Sequence, residues 1–168
     1  MSKVLVVYGT TSGCTQSLAE KVGDTLAQAG ATVQVFSAKD APSVSGYDAV
    51  VVGSGVRAGQ WHKPAQSWVA ANAKALKSIP VAFFTCGLMI RDGESKADEV
   101  RAYSKAIEDA NGIDPVDVGL FAGWNDKHLS FPERTILKMM KSPEGDFRDF
   151  AAVEAWTKAV APRLGLAS

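Results

Sequence analysis

The sequence is poor in the features that mark several functional classes. Among its 168 residues only Cys14 and Cys86 are cysteines, too few for a disulfide framework, and they join no CxxC or Cys/His cluster with zinc spacing. Net charge is lacking too: 18 Lys and Arg balance 18 Asp and Glu, which excludes a histone-like nucleic-acid coat, an acidic tail, or strong polarity of the whole molecule. No apolar stretch approaches the roughly 18 residues of a membrane span. The N-terminus runs straight into a strand-like segment, so a cytoplasmic protein is expected. Repeats and low-complexity tracts are missing. What is present is 46% hydrophobic against 21% charged residues, a composition that predicts one globular domain across 1–168 with a substantial core.

Five short apolar runs, at 4–8, 33–36, 49–53, 81–85 and 116–122, are mostly rich in Val or Phe with little alternation, as strands buried on both faces read. Helical spacing separates them. The segment 15–29 places Leu18, Val22, Leu26 and Ala29 on one stripe and stops at Gly30. The segment 64–76 opens on Pro64 and groups Trp68, Ala71, Ala75 and Leu76. Residues 97–110 turn Val100, Tyr103, Ala106, Ile107 and Ala110 inward, and 150–164 do so with Val153, Trp156, Val160 and Leu164, Pro162 falling in the fraying end. Between the second and third strands, Pro42 and Gly46 predict a loop or a stunted helix. Strict alternation of strand and helix implies right-handed crossovers and a parallel sheet covered on both faces. The segment 123–145 breaks the alternation and carries its own apolar helical piece at 131–140, with Ser130 as cap and Pro132 in its first turn.

Directly after the first strand stands Gly9-Thr10-Thr11-Ser12-Gly13-Cys14-Thr15, followed by a helix. Small and hydroxyl residues at that junction offer backbone N–H groups, hydroxyl donors and a positive dipole end, the requirements of a phosphate site. The loop has no Gly-Lys-Ser/Thr and no GxGxxG, and it contains no cation. Neutral donors would hold the phosphate, which suits a monophosphate ester better than a triphosphate with magnesium. A plain polar turn with a helix cap is the competing interpretation, disfavoured by four hydroxyls among the six residues 10–15.

Thr10-x-Ser12-Gly13-x-Thr15 resembles the phosphate-loop signature of the flavodoxin family. The resemblance implies an α/β, flavodoxin-like, doubly wound five-stranded parallel sheet in the order 2-1-3-4-5, with FMN as cofactor. It further implies phosphate contacts from Thr10, Thr11, Ser12, Gly13, Cys14 and Thr15. In such a sheet the loops after strands three and four flank the ring. The first offers Ser54, Gly55, Val56, Arg57, Gly59, Trp61 and His62. Its glycines would let backbone approach a ligand. Trp61 is a candidate for contact with the isoalloxazine, the alternative being a core position beneath the next helix. His62 is either a solvated helix-entry residue or a donor at the site. The second offers Thr85, Cys86 and Gly87, then Leu88 and Met89. Cys86 reads as a small buried residue at a strand end. Small flavodoxins usually stack an aromatic from this loop on the flavin; its lack here implies a face open to substrate or quinone.

Residues 57–91 hold Arg57, Lys63, Lys74, Lys77 and Arg91 without a carboxylate, and 92–117 hold eight acids against three bases. The cationic block covers both expected flavin loops, the reverse of an acidic shuttle flavodoxin. The motif Gly53-Ser54-x-Val56-Arg57-x-Gly59-x-Trp61-His62, with the insertion 123–145, resembles the flavodoxin-domain branch that includes the menaquinone-dependent protoporphyrinogen dehydrogenase. Its insertion is richer in Arg and aromatics than this one, which offers Lys127, His128, Phe131, Arg134, Lys138 and Lys141. The insertion would pack on the sheet edge, form a homodimer face, or make a peripheral membrane contact to meet a lipid quinone. The expected function is an FMN-dependent oxidoreductase, quinone-coupled and protoporphyrinogen-dehydrogenase-like, with a quinone or other small molecule as acceptor. The alternative is a non-enzymatic flavodoxin passing electrons between redox partner proteins. No nucleic acid, metal ligand or catalytic side chain is assigned. A receiver-type signalling domain is set aside because Tyr8-Gly9 and Gly53-Ser54 stand where it needs acids.

Overall fold

The computed structural model describes residues 2–10, 13–57, 60–87, 97–122, 124–125, 145–146 and 148–166. In chain order the elements are β1 (Lys3–Gly9), α1 (Cys14–Gln28), β2 (Thr32–Ser37), β3 (Ala49–Arg57), β4 (Gln60–Trp61), α2 (Lys63–Leu76), β5 (Val81–Cys86), α3 (Ala97–Asn111), β6 (Asp117–Phe121), β7 (Trp124–Asn125), β8 (Gly145–Asp146) and α4 (Phe150–Val160). The main sheet runs β2-β1-β3-β5-β6, all parallel, with β4 antiparallel on the end of β3. Counting only the five long strands, this is the expected 2-1-3-4-5. The short 3-10 turn Ala38–Asp40 follows β2 where a stunted helix was expected.

The strands lack alternation because both faces are covered. In β1, Val4 and Val6 enter the layer beneath α1 and α4, and Leu5 and Val7 the layer beneath α2. All four are fully buried, so each contributes about 1.5–3 kcal/mol of apolar burial. Phe84 and Phe83 repeat the division on β5. Helix α1 ends as its sequence predicts, Gly30 taking a φ of 99° while the Ala31 N–H bonds the Leu26 carbonyl at 3.1 Å.

Three helix stripes depart from expectation. On α3, Ala106 and Ala110 face solvent, and Ser104 and Glu108 are buried beside Val100 and Ile107. At 100° per residue Ser104 and Glu108 lie 40° and 80° to one side of Val100, whereas Ala110 lies 80° and Ala106 120° to the other, so the buried face is centred on the Ser104 side. Arg101 makes the burial of Glu108 tolerable, with Nη1 and Nη2 donating to its two oxygens at 2.7 and 3.1 Å. On α2 the buried set is Ala65, Trp68, Val69 and Leu76, with Ala71 and Ala75 exposed. On α1, Ala29 is exposed at the C-cap. Small alanines carry too little apolar area to decide which way a helix faces.

Strand three is longer than expected. It continues through Ser54, Gly55 and Val56 to Arg57 and folds back on β4, with Val56 opposite Trp61 and Arg57 opposite Gln60. Most of the anticipated loop is therefore strand. Gly53 is glycine for a different reason from ligand approach: a Cβ there would lie 1.9 Å from the Phe84 ring. The helical piece expected at 131–140 lies outside the described residues. Among those residues, no helix is long and apolar enough to cross a membrane.

Candidate functional site

The sheet order reverses between β1 and β3, and the carboxyl ends of those strands meet where Gly9 pairs with Ser54. Helix α1 starts there. Its N-cap, Gly13, has a φ of 89°, accessible to glycine at little cost. No side chain caps the helix, and its first turn contains no acid. Thr10 closes the turn by accepting the Gly13 N–H on Oγ1 at 3.0 Å. The positive end of the helix dipole therefore opens on the switch point with no carboxylate in the helix's own first turn to neutralise it, which suits a phosphate.

Close packing fixes the surroundings. A Cβ on Gly9 would lie 2.8 Å from Ala65 Cβ and 3.2 Å from His62 Cδ2, so the start of α2 rests directly on the loop. Ser54 Oγ accepts the His62 N–H at 2.8 Å, tying β3 to that helix start. Half-buried His62 thus lies beside the phosphate loop. Buried Thr15 points its hydroxyl toward β3, 3.1 Å from where a Gly55 Cβ would be. Gly87, just past β5, donates its N–H to Phe121 at 2.9 Å.

Trp61 lies in the core beneath α2, 2% exposed. Its ring meets Phe83 edge-on, centroids 5.2 Å apart, and its Nε1–H donates to Thr85 Oγ1 at 3.0 Å. The geometry is that of the core alternative, and through Thr85 the indole holds the end of β5. Thr11, Ser12, Gly59, Leu88 and Met89 lie outside the described residues, as does the side chain of Arg57.

Cys14 and Cys86 approach each other from α1 and β5, sulfur to sulfur at 3.3 Å. The hydrogen bond with Cys14, then burial, push the Cys86 thiol well above its ordinary range; the Thr15 hydroxyl and the Arg148 charge pull the other way. Cys86 is buried at a strand end, as its sequence context suggests, but with a thiol neighbour 72 positions away.

Arg148 is the site residue that sequence reasoning missed. It precedes α4, and its Nη1 donates to Ser17 Oγ at 2.9 Å, while Ser17 donates to the Cys14 carbonyl at 2.6 Å. The loop sequence contains no cation, yet the fold brings one behind it. The detectable signal was Asp149, whose side chain caps α4 by accepting the Ala152 N–H at 3.0 Å; it marks where the helix begins and so where Arg148 stands. Of the cationic block, Lys63 opens α2 beside His62, and Arg91 and the side chain of Arg57 lie outside the described residues. Lys74 and Lys77 sit at the carboxyl end of α2, opposite the switch point, with Lys77 beside Gly112.

A doubly wound parallel sheet with an open helix N-terminus at its switch point defines an α/β protein of the mononucleotide-binding class. The chain matches the flavodoxin domain over residues 5–150 and belongs to that family, whose cofactor is FMN. It is 29% identical over 105 residues to the quinone-type protoporphyrinogen IX dehydrogenase of Escherichia coli K12, a match spanning 61% of this chain and 58% of that protein. Among solved structures, a flavodoxin from the domain Archaea superposes with a TM-score of 0.62 at 20% identity, covering 97% of this chain and 99% of the other. Oxidised flavodoxin 2 from Bacillus cereus gives 0.62 at 18% identity, with 96% and 99% covered.

Proposed function

We propose that the protein is an FMN-dependent oxidoreductase delivering electrons to a quinone or similar small acceptor. The likeness to a quinone-type dehydrogenase carries this reading, and the acceptor loop, without an aromatic between Gly87 and Gly93, supports it. FMN, when bound, supplies the redox chemistry at its ring. The chain's residues bind and orient it. Thr10, Thr11, Ser12, Gly13, Cys14 and Thr15 would hold the phosphate through amides and hydroxyls, and Arg148, bonded to Ser17, would add positive potential. Ser54, Gly55, Val56, Arg57, Gly59 and His62 would hold the ring from the loop after β3, and Thr85, Cys86 and Gly87 from the end of β5. Trp61 acts at one remove, fixing Thr85. No side chain is given a proton-transfer role.

The competing reading is an electron-transfer flavodoxin serving protein partners, favoured by superposition over nearly the whole length of flavodoxins. Anaerobic reduction of the FMN-loaded protein, followed by menaquinone analogues, protoporphyrinogen and ferredoxin-type proteins in turn, separates the two. Multiple turnover with a quinone is expected. Electron exchange with proteins alone, and none with quinones, overturns the oxidoreductase reading.

A further inference from the structure

Cys14 is the first residue of α1 and Cys86 the last of β5. Both side chains are at most 5% exposed, and the sulfurs stand 3.3 Å apart. A disulfide needs about 2.0 Å, so closure requires an approach of roughly 1.3 Å along a line on which the thiols already face each other. The geometry points to a dithiol modification site at the floor of the phosphate cradle: a small hydroperoxide closes Cys14 and Cys86 into a reversible disulfide, and the closed form holds the FMN phosphate less tightly. The effect on FMN rests on the reading of the α1 N-terminus as the phosphate site; the disulfide itself does not.

Cys14, the first residue of α1, is the attacking group because a helix N-terminus favours a thiolate, and Cys86 stands beside it at 3.3 Å. The Cys14 sulfur attacks one peroxide oxygen, the O–O bond breaks, and Cys14 becomes a sulfenic acid as the other oxygen leaves as water. The Cys86 sulfur then attacks Cys14, the S–O bond breaks, and its proton leaves with the second water. Two thiols and one hydrogen peroxide yield one disulfide and two waters. A small dithiol reverses the reaction by exchange.

Closure displaces what surrounds the pair. Cys14 shares the first turn of α1 with Thr15, packed against Gly55, and Ser17, bonded to Arg148. Drawing the sulfurs together pulls that turn toward β5, and the turn carries the amides that face the phosphate.

The FMN-free protein is treated with hydrogen peroxide beside Cys14→Ser and Cys86→Ser, then analysed by thiol titration in denaturant, intact mass and FMN titration. The wild type should lose both thiols, fall in mass by about 2 Da as a monomer, and regain both with dithiothreitol. Neither variant should lose two hydrogens. Because the bond closes a long loop, the midpoint of thermal unfolding should rise by roughly 5 °C or more. FMN affinity should fall at least about fivefold in the oxidised wild type and return to its starting value once dithiothreitol reopens the bond. Retention of both thiols, or only intermolecular bonding, overturns the site. A monomeric disulfide with unaltered FMN affinity overturns its effect on binding. If the reduced protein takes up no FMN while the disulfide forms, the disulfide stands and the phosphate-site reading fails.

Discussion

Trp61→Phe distinguishes a core tryptophan from one stacked on flavin. The indole is 2% exposed, its N–H donates to Thr85 Oγ1 at 3.0 Å, and its ring meets Phe83 edge-on. Phenylalanine removes about 40 Å³ of buried ring, costing about 1 kcal/mol at roughly 24 cal/mol per Å³ if the space does not collapse. It also leaves the buried Thr85 hydroxyl without its donor, about 1–3 kcal/mol more. The total is about 2–4 kcal/mol, read as a lower urea midpoint with unchanged slope. Thr85→Val isolates the hydrogen bond: each single variant strands one partner, the double variant neither, so a coupling of about 1 kcal/mol or more is expected. FMN affinity in the folded variant should change less than twofold. Stability within about 0.5 kcal/mol of wild type, together with a large change in flavin affinity or potential, would refute the core assignment.

Arg148→Gln should weaken FMN about tenfold and leave riboflavin unaffected, because the lost charge acts on the phosphate; calorimetry with both ligands tests this, and equal losses would remove the phosphate role. Gly53→Ala should destabilise the protein by about 3 kcal/mol or more, since its Cβ would fall 1.9 Å from the Phe84 ring, and Phe84→Leu in the same chain should recover part of that in urea unfolding. Lys158 and Lys21 lower Glu154 from an ordinary carboxyl value of 4.5 to about 2. A depressed folded-state pKa gives stability that is present above pH 4.5 and lost as pH falls toward 2. The small stability difference between wild type and Glu154→Gln should accordingly vanish by pH 2 and shrink in high salt, as the group is solvent-screened; a difference independent of pH would contradict the ion pairs.

The strands were legible because β1, β3 and β5 are buried on both faces, and such burial leaves unbroken runs of Val and Phe. The helix start after β1 was legible because its signals are local: the N-cap glycine, the hydroxyls and the first helical residue fall within seven residues. Strand three was expected to end at Gly53, yet it runs on to Arg57. Gly53 responds to Phe84, thirty-one positions on, and nothing near Gly53 announces that ring. Alanines on α2 and α3 were assigned inward by spacing, yet which way a helix faces depends on its bulky and paired residues. Glu108 is inside because Arg101 accompanies it.

The sequence by itself determined the order of strands and helices, the parallel sheet, and a glycine-capped turn at the start of α1, because periodicity, capping and small-residue loops act over a few neighbouring positions. Only the tertiary structure decided that Trp61 belongs to the core, that Lys74 and Lys77 stand far from the switch point, and that Arg148 and the pair Cys14 and Cys86 gather at the start of α1. These depend on which elements the sheet order brings side by side. Separation in space, unlike periodicity, leaves no trace in the spacing of residues along the chain.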